Sequence, residues 1–271
     1  MNLASKLALF ALILLSGACA SATPTPSRRP AATIFEPTPT PKSTSSSWLR
    51  KAPGVEYTLI EAHAEQHREW LLLVRLDPAR ITLRVAYDPN LPRTVRQWQQ
   101  ISSADVVING GFFDDQNRTT GLLIADGRSF GRSYRGFGGM LAWREGAPLL
   151  IWLRTTPYRP DPRVTQAVQS FPMLVMDGAP VDGLPEEGIR HRRSFVAIDR
   201  EGRLIFGVTQ RAQWRLRDLA TYLAQSDLGV WRALNLDGGG SSGLWLSNAS
   251  APYAMDSITP VPSVVMVWAQ P

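Results

Sequence analysis

Short apolar runs separated by turn residues fill the chain from Val55 to Trp268, and they constrain its fold more than any other feature. Most of them are too short for a helix and have the length and composition of a β-strand. The sequence therefore predicts strands at Val55–Ala62, Trp70–Leu76, Ile81–Tyr87, Val106–Ile108, Leu122–Ala125, Met140–Trp143, Leu149–Leu153, Met173–Met176, Ser194–Asp199, Leu204–Thr209, Ala233–Leu236, Leu244–Leu246 and Val264–Trp268.

Two segments carry helix signals. Thr94 and Gln97 have the spacing of a capping box, which predicts a short helix that ends near Ile101. In Leu216–Leu223 the apolar residues recur at helical spacing, which predicts a second helix. Because strands outnumber helices and the two do not alternate strictly, we predict an α+β fold over residues 48–271, a single domain with a large mixed β-sheet and a few helices.

The first residues have the features of an export signal. Lys6 precedes the apolar stretch Leu7–Leu15, which is too short to span a bilayer, and small residues follow it. With the adjoining Cys19 this segment resembles a bacterial lipobox. Residues 1–18 are thus predicted to be a signal peptide and Cys19 to be lipidated, which would anchor the exported protein to the membrane in the cell envelope. The alternative is ordinary cleavage near Ala18 with an incidental cysteine.

Residues 19–47 are rich in Ser, Thr and Pro, and such a composition cannot build a core. We predict that this segment is a linker between the anchor and the folded domain at 48–271. Cys19 is the one cysteine of the chain, so the domain contains neither a disulfide nor a cysteine-based zinc site. Its stability must come from a packed core.

Charge and spacing argue against several classes of partner. The formal net charge is +6, but no basic run with interleaved aromatic residues indicates a nucleic-acid surface. Asp115, Asn117 and Thr119 alternate as in a calcium loop, yet the glycine and the final glutamate of that loop are missing. A polar surface turn is favoured there. No cofactor or metal site is predicted, and a bound divalent cation stays open as the alternative.

Three segments place polar or glycine residues beside predicted buried strands. In the first, Asn109, Gly110 and Gly111 follow Val106–Ile108 directly. Paired glycines let the backbone approach a ligand, and the asparagine amide offers both a donor and an acceptor. A tight turn packed by Phe112 and its neighbour is the structural alternative.

The second segment, Arg190–Arg193, precedes the strand Ser194–Asp199. Guanidinium groups at the start of a strand need solvent or an anion. A solvated basic turn explains two of the three arginines, and the histidine between them, His191, is also expected to be solvated.

The third segment is the most informative. Asp237 ends a predicted buried strand, and three glycines (Gly238, Gly239 and Gly240) and two serines (Ser241 and Ser242) follow it. Successive backbone N–H groups in such a loop can form a nest that holds an oxyanion. A carboxylate at a buried position is rare without a partner or a function.

Together these segments make the chain similar to the phosphodiester glycosidase family, the family of the lysosomal uncovering enzyme, in the form of a bacterial exported member. The resemblance extends from about Val55 to Trp268. It rests on Asn109–Phe113, on Phe171–Gly178, on Arg193 with the serine after it, and on the unbroken run Ala233–Ser242. It implies a hydrolase that releases a sugar from a glycosyl phosphodiester on envelope or extracellular glycans.

The resemblance also implies roles for the residues of the three segments. Arg193 would hold the phosphate through two parallel hydrogen bonds, and Asp237 would be the nucleophile or the base that activates water. The backbone of Gly238, Gly239 and Gly240, with Ser241 and Ser242, would hold oxygens of the phosphate or sugar. Asn109, Gly110 and Gly111 would fix the sugar.

Several points stay open at this stage. Most glycosidases use two carboxylates, and the candidates for a second one are Asp114, Asp126, Asp177, Glu186 and Glu187. Retention and inversion are therefore not distinguished, and the sugar is not identified. The rival hypotheses are a non-catalytic envelope lipoprotein that binds glycans in the same cleft and a domain that has lost its active site.

Overall fold

The structure of the chain is a computed structural model that describes residues 47–64, 67–184, 189–248 and 253–271. The predicted signal peptide, Cys19 and all but the last residue of the predicted linker lie outside the described residues. The strands are, in chain order, β1 (Leu49–Ala52), β2 (Val55–Ala64), β3 (His67–Leu76), β4 (Ile81–Tyr87), β5 (Val106–Asn109), β6 (Leu123–Ala125), β7 (Arg128–Phe130), β8 (Gly139–Arg144), β9 (Ala147–Trp152), β10 (Val164–Ser170), β11 (Met173–Met176), β12 (Ala179–Pro180), β13 (Ser194–Asp199), β14 (Leu204–Thr209), β15 (Val230–Asn235), β16 (Leu244–Leu246) and β17 (Ser263–Ala269).

Two α-helices accompany the strands, and both were predicted. Helix α1 (Val95–Ser102) begins after Thr94, whose hydroxyl accepts a hydrogen bond from the backbone N–H of Gln97 while the Gln97 side chain accepts one from Thr94 N–H. Helix α2 (Leu216–Gln225) covers the second predicted helix. Short 3₁₀ turns lie at Pro78–Arg80 and Gly239–Ser241. Within the described residues, neither helix has the length and apolar character needed to cross a bilayer.

The strands form three antiparallel sheets. An eight-stranded sheet has the order β1-β2-β3-β14-β13-β15-β11-β12, a five-stranded sheet the order β7-β6-β10-β8-β9, and a four-stranded sheet the order β16-β5-β17-β4. All pairings between strands of the described residues are antiparallel. The α+β class agrees with this structure in the coarse sense, but the prediction of one large mixed sheet is wrong.

The physical reason for this difference is visible in β3. Leu71 and Leu73 pack with helix α2 on one face of the large sheet, whereas Leu72 and Val74 pack on the other face against the smaller sheets. All four side chains are fully buried. Because both faces are covered, the strand reads as a continuous apolar run, a pattern that parallel sheets usually produce. The antiparallel sheet here has the same pattern because it lies between two layers.

Strand β10 was not predicted, because its sequence contains three polar residues at buried positions. Gln166 and Gln169 are buried, and their side chains bond to backbone groups of neighbouring segments. Gln166 Oε1 accepts a hydrogen bond from Val85 N–H at 2.9 Å, and Gln169 Oε1 accepts one from Leu122 N–H at 3.2 Å. Gln166 thus connects the five-stranded sheet to β4 of the four-stranded sheet, and Gln169 connects it to the segment before β6.

Candidate active site

The first and third sequence segments meet where β5 and β15 end. The Nδ2 atom of Asn109 donates to the backbone carbonyl of Asp237 at 2.8 Å, and its Oδ1 atom accepts from Gly243 N–H at 3.1 Å. The backbone N–H of Asp237 donates to the carbonyl of Gly110 at 3.2 Å. The Asn109 side chain is fully buried. Both ends of its amide therefore bind protein backbone, and Asn109 holds the loop after Asp237 in position.

The two glycines after Asn109 are required by close contacts. A Cβ atom at Gly110 would lie 2.3 Å from Ser263 Oγ, and one at Gly111 would lie 2.3 Å from the carbonyl oxygen of Gln169. Any larger residue would displace β17 or β10. These glycines thus allow the loop after β5 to pass between two sheets.

The loop after Asp237 uses most of its backbone N–H groups internally. Gly238 N–H donates to Asp237 Oδ1 at 2.9 Å, and Gly239, which has a φ of 62°, donates to the carbonyl of Arg192 at 2.8 Å. The N–H groups of Ser241 and Ser242 donate to Gly238 and Gly239 carbonyls at 3.2 and 3.3 Å. The expectation of an open nest is corrected accordingly, because only Gly240 N–H has no hydrogen bond to another described residue. The Ser242 side chain is fully buried and faces the protein interior.

Asp237 is a half-buried carboxylate at the edge of this loop. Burial raises its pKa to about 6, while hydrogen bonds from the Ser241 hydroxyl and from Gly238 N–H act in the opposite direction. A carboxyl group with this pKa changes its charge close to neutral pH, which is the range in which a general base or nucleophile operates.

The side chain of Arg193 lies close to Gly238, the residue after Asp237. Its side chain is buried, with 9% exposure, and within the described residues no carboxylate pairs with it. Nε donates to the Trp214 carbonyl at 3.1 Å and Nη2 to the Ile189 carbonyl at 3.0 Å. Nη1 lies 3.8 Å from the position that a Cβ of Gly238 would occupy. Burial lowers the pKa of Arg193 to about 10, so the guanidinium stays charged at neutral pH.

These contacts restrict how Arg193 can bind an anion. The Nε–Nη2 edge donates to backbone carbonyls, so the predicted pair of parallel hydrogen bonds is not available on that edge. Nη1 is the group that faces the loop. A buried cation without an acidic partner is costly unless an anion reaches it, and this makes Arg193 an anion-binding candidate through Nη1.

The neighbouring arginines are not solvated, which corrects the sequence expectation. Arg192 is half-buried, and its Nη2 donates to the carbonyls of Ser242 at 2.7 Å and Asp256 at 3.1 Å. Nη1 of Arg190 donates to the Gln213 carbonyl at 2.7 Å and lies 3.8 Å from the Asp218 carboxylate. Both side chains hold loops around the site.

His191 was expected to be solvated, and its side chain is indeed exposed, but it borders the site. Nδ1 lies 3.9 Å from the position that a Cβ of Gly239 would occupy, and the backbone N–H of His191 donates to the Trp214 carbonyl at 3.2 Å. The only sequence feature that could have marked His191 is its position between two arginines. That feature does not distinguish a residue of the site from a residue on the surface.

Tyr134 is a second site residue that the sequence did not indicate. Burial raises the pKa of its phenol, and the nearby charge of Asp237 contributes in the same direction. The hydroxyl lies 2.6 Å from Thr120 Oγ1. Tyr134 belongs to a loop without regular structure, so no periodic pattern marks it.

The candidates for a second carboxylate are engaged elsewhere. Asp114 pairs with Arg118, Asp126 with Arg84 and Asp177 with Arg232. Glu186 and Glu187 lie outside the described residues. None of the candidates that the structure describes therefore joins Asp237 in the glycine loop.

The loop that resembles a calcium site is organised by its own residues. The carboxylate of Asp114 accepts hydrogen bonds from the N–H groups of Gln116 and Arg118 at 3.0 and 2.9 Å. Within the described residues, no cluster of three or more His, Cys, Asp or Glu side chains has the arrangement of a metal site. This geometry is that of a polar turn.

Comparisons with solved structures place the fold among known proteins. The catalytic domain of zebrafish N-acetylglucosamine-1-phosphodiester alpha-N-acetylglucosaminidase, auto-inhibited by its pro-peptide, is 19% identical, with a TM-score of 0.65 over 81% of this chain and 85% of that one. A hypothetical protein from Synechocystis is 16% identical, with a TM-score of 0.58 over 84% of this chain and 64% of that one. A protein from Burkholderia pseudomallei, named "putative exported protein", is 12% identical, with a TM-score of 0.53 over 74% of each chain.

The sequence comparisons are more specific about the family. No curated protein sequence matches the chain. The sequence profile of the phosphodiester glycosidases matches residues 102–268, which include Asn109, Arg193 and Asp237. The match covers more than half of the chain and agrees with the shared fold of the zebrafish catalytic domain. The chain is therefore a glycosidase enzyme that belongs to the phosphodiester glycosidase family.

Proposed function

We propose that the protein hydrolyses glycosyl phosphodiesters by breaking the bond between the anomeric carbon and the phosphate oxygen. One observation carries this proposal: the half-buried carboxylate of Asp237 and the buried guanidinium of Arg193, which pairs with no acidic side chain among the described residues, border the same glycine, Gly238. A glycosyl phosphodiester matches this pair, because the Arg193 cation can bind its phosphate while the Asp237 carboxylate acts at its anomeric carbon.

The chemistry needs only one carboxylate at the anomeric carbon. A phosphomonoester is a good leaving group once its charge is stabilised, so strong acid catalysis is not required. Asp237 either removes a proton from a water that attacks the anomeric carbon, or attacks that carbon itself. In the second case a covalent glycosyl ester forms on Asp237, and a water molecule then hydrolyses it to give the free sugar and restore the carboxylate. The bond from the anomeric carbon to oxygen breaks, its electron pair stays on the phosphate, and a free sugar and a phosphomonoester leave the site.

The remaining site residues have supporting roles in this proposal. Arg193 holds the phosphate through Nη1, and Gly240 N–H is available to a phosphate oxygen. Ser241 holds the Asp237 carboxylate, while Asn109 fixes the loop that carries it. The backbone of Gly110 and Gly111 forms the floor on the sugar side.

We further propose that the enzyme acts outside the cytoplasm on envelope or extracellular glycans, tethered to the membrane through Cys19. The predicted signal peptide and the Ser/Thr/Pro-rich segment support this location.

The test is a hydrolysis screen on methyl phosphodiesters of several hexose 1-phosphates in water enriched in ¹⁸O. We expect a free sugar and methyl phosphate, with the label absent from the phosphate because the carbon–oxygen bond breaks. Label in the phosphate would show attack at phosphorus and would overturn the proposal. If the diesters bind but none is hydrolysed, the glycan-binding hypothesis gains support instead. Proton NMR of the first-formed anomer would separate retention from inversion.

A further inference from the structure

Four aromatic side chains form a partly exposed cluster next to Asp237, which we call the aromatic platform: Phe112, Tyr134, Phe137 and Phe171. Phe112 stacks on Phe171 with ring centroids 4.3 Å apart, and Tyr134 lies 4.7 Å from Phe137 and 5.7 Å from Phe171. Phe137 is 48% exposed, a large value for a phenylalanine. Such a surface gains free energy when a ligand covers it.

The platform is held in place by buried polar contacts. Gln169 is fully buried, and its Oε1 accepts a hydrogen bond from Tyr134 N–H at 2.8 Å while its Nε2 donates to Ser133 Oγ at 2.8 Å. The Tyr134 ring lies against Gly121, where a Cβ atom would be 2.8 Å from the ring. The rings are therefore positioned by the fold before a ligand arrives, which reduces the entropic cost of binding.

The platform adjoins the Asp237 loop at three points. Asn235, two residues before Asp237, donates through Nδ2 to the carbonyl of Phe171 at 2.8 Å, and Phe112 lies two residues after Gly110, whose carbonyl accepts from Asp237 N–H. The phenol of Tyr134 is close enough for the Asp237 charge to influence its titration. Arg193, in contrast, borders the loop at Gly238. Asp237 thus adjoins both the Arg193 cation, through Gly238, and the platform.

These two neighbours of Asp237 match the two parts of a glycosyl phosphodiester, its phosphate and its sugar. With the phosphate at Arg193 and the anomeric carbon at Asp237, the sugar ring extends onto the aromatic side. One face of a pyranose ring presents mainly C–H groups, which pack on an aromatic ring, while its hydroxyls stay free to bond at the edge. The exposed ring of Phe137, with the hydroxyls of Tyr134 and Thr120 nearby, can meet such a sugar ring.

We propose that the aromatic platform binds the hexose ring of the substrate by stacking and so determines which sugars the enzyme accepts. This inference rests on the proposed function, because it takes the phosphate to lie at Arg193. It extends that function by assigning the sugar subsite to Phe137 and Tyr134, residues outside all three sequence segments.

The test measures binding in the Asp237→Asn protein, which should hold the diester without turnover. Calorimetric titration with the methyl phosphodiester of α-N-acetylglucosamine 1-phosphate gives the reference Kd. Adding Phe137→Ala should weaken binding about tenfold, the effect of losing one stacked ring, and Phe137→Trp should keep it. Ile101→Ala, which removes another exposed apolar side chain, is the matched control and should change nothing. Dimethyl phosphate, which lacks the sugar, should bind equally with and without Phe137.

The outcomes separate the two proposals. An unchanged Kd for the sugar diester in Phe137→Ala, or an equal loss for dimethyl phosphate, overturns the platform as the sugar subsite. If wild-type protein binds the diester through Phe137 but never hydrolyses it, the proposed function fails and the platform stands. If the diester is hydrolysed with the same KM with or without Phe137, the hydrolase stands and the platform fails.

Discussion

The Nδ2 atom of Asn109 donates a 2.8 Å hydrogen bond to the backbone carbonyl of Asp237, 128 residues away in the sequence. Through this contact the end of β5, in the four-stranded sheet, is tied to the loop after β15, in the eight-stranded sheet. The position of the proposed catalytic carboxylate thus depends on how two sheets pack against each other. Asn109 acts on the loop, and we interpret it as a positioning residue.

Replacing Asn109 tests this interpretation. In Asn109→Ala the Asp237 carbonyl and the Gly243 N–H lose their partners, and each unsatisfied buried group costs about 1–3 kcal/mol. We expect a lower free energy of unfolding in urea and a lower kcat. Asn109→Asp keeps the acceptor for Gly243 but turns a carboxylate oxygen towards the Asp237 carbonyl, so at neutral pH it should be no more stable than Asn109→Ala. Wild-type stability of Asn109→Ala, with Gln116→Ala as the exposed control, would contradict the interpretation.

Asp237→Asn should abolish turnover, because the substitution removes the charge and keeps the shape. The pKa of about 6 predicts that kcat/KM of wild type falls as the pH drops through 6, since the reactive form is the carboxylate. The measurement is the pH profile on a diester identified in the screen. Activity of the variant near that of wild type would eliminate Asp237 as nucleophile or base.

The same variant has a predictable stability, which shows whether it folds. Burial raises the pKa of Asp237 above its unfolded value, so the folded state binds the proton more tightly. Wild-type stability should therefore decline as the pH rises from about 4 to about 6 and then level off with respect to this group. Asp237→Asn lacks this decline and should be more stable than wild type by about 1–3 kcal/mol at pH 8, but not at pH 4.

Arg193→Lys should lose most of the activity although it keeps the positive charge. An ammonium group cannot bind the Trp214 and Ile189 carbonyls and also present a donor at Gly238. Loss of a charged contact to a desolvated phosphate should raise the activation free energy by about 2–4 kcal/mol, which lowers kcat/KM roughly 30- to 1000-fold. Steady-state kinetics give the readout. Arg163→Lys, at an exposed ion pair, is the control and should match wild type.

The contacts of Arg192 give this experiment a second arm. Arg192→Lys should lower the melting temperature, because Arg192 donates hydrogen bonds to the Ser242 and Asp256 carbonyls. The same substitution at a solvated arginine would leave the melting temperature unchanged. If Arg192→Lys reduces activity more than Arg193→Lys at equal stability, the phosphate lies at Arg192 and the assignment of Arg193 fails.

Deleting residues 20–46 should leave the melting temperature of the domain unchanged, because their composition offers no apolar surface to a core. The described contacts begin just after them: the Ser47 carbonyl accepts a hydrogen bond from Thr58, and Arg75 stacks 4.2 Å from the Trp48 ring. Trp48→Ala should lower the melting temperature by several degrees. A comparable drop on deletion would show that the segment docks on the domain.

Cys19 should carry lipid in protein extracted from a bacterial host that performs this modification. Intact mass spectrometry should show an added diacylglycerol at a mature N-terminus formed by Cys19, and Cys19→Ser should release the protein from the membrane fraction. A mature chain that begins after Cys19 would exclude the anchor and leave export by an ordinary signal peptide.

The sequence by itself determined the local elements and the family. Apolar runs located most strands, the Thr94–Gln97 pair located α1, and the run Ala233–Ser242 indicated the glycosidase family, because these signals depend only on neighbouring residues. Local periodicity also misled once, since strands buried on both faces look alike in parallel and antiparallel sheets.

The tertiary structure alone decided which side chains reach the site. Only the packing of two sheets shows that Asn109 binds backbone, that Arg192 is engaged, and that His191 borders the glycine loop. Tyr134 lies near Asp237, and Phe137 packs on Tyr134, because a buried glutamine in a strand too polar to predict holds the loop at Tyr134. Contacts between residues distant in sequence leave no local pattern, and the sugar subsite that we propose consists of such contacts.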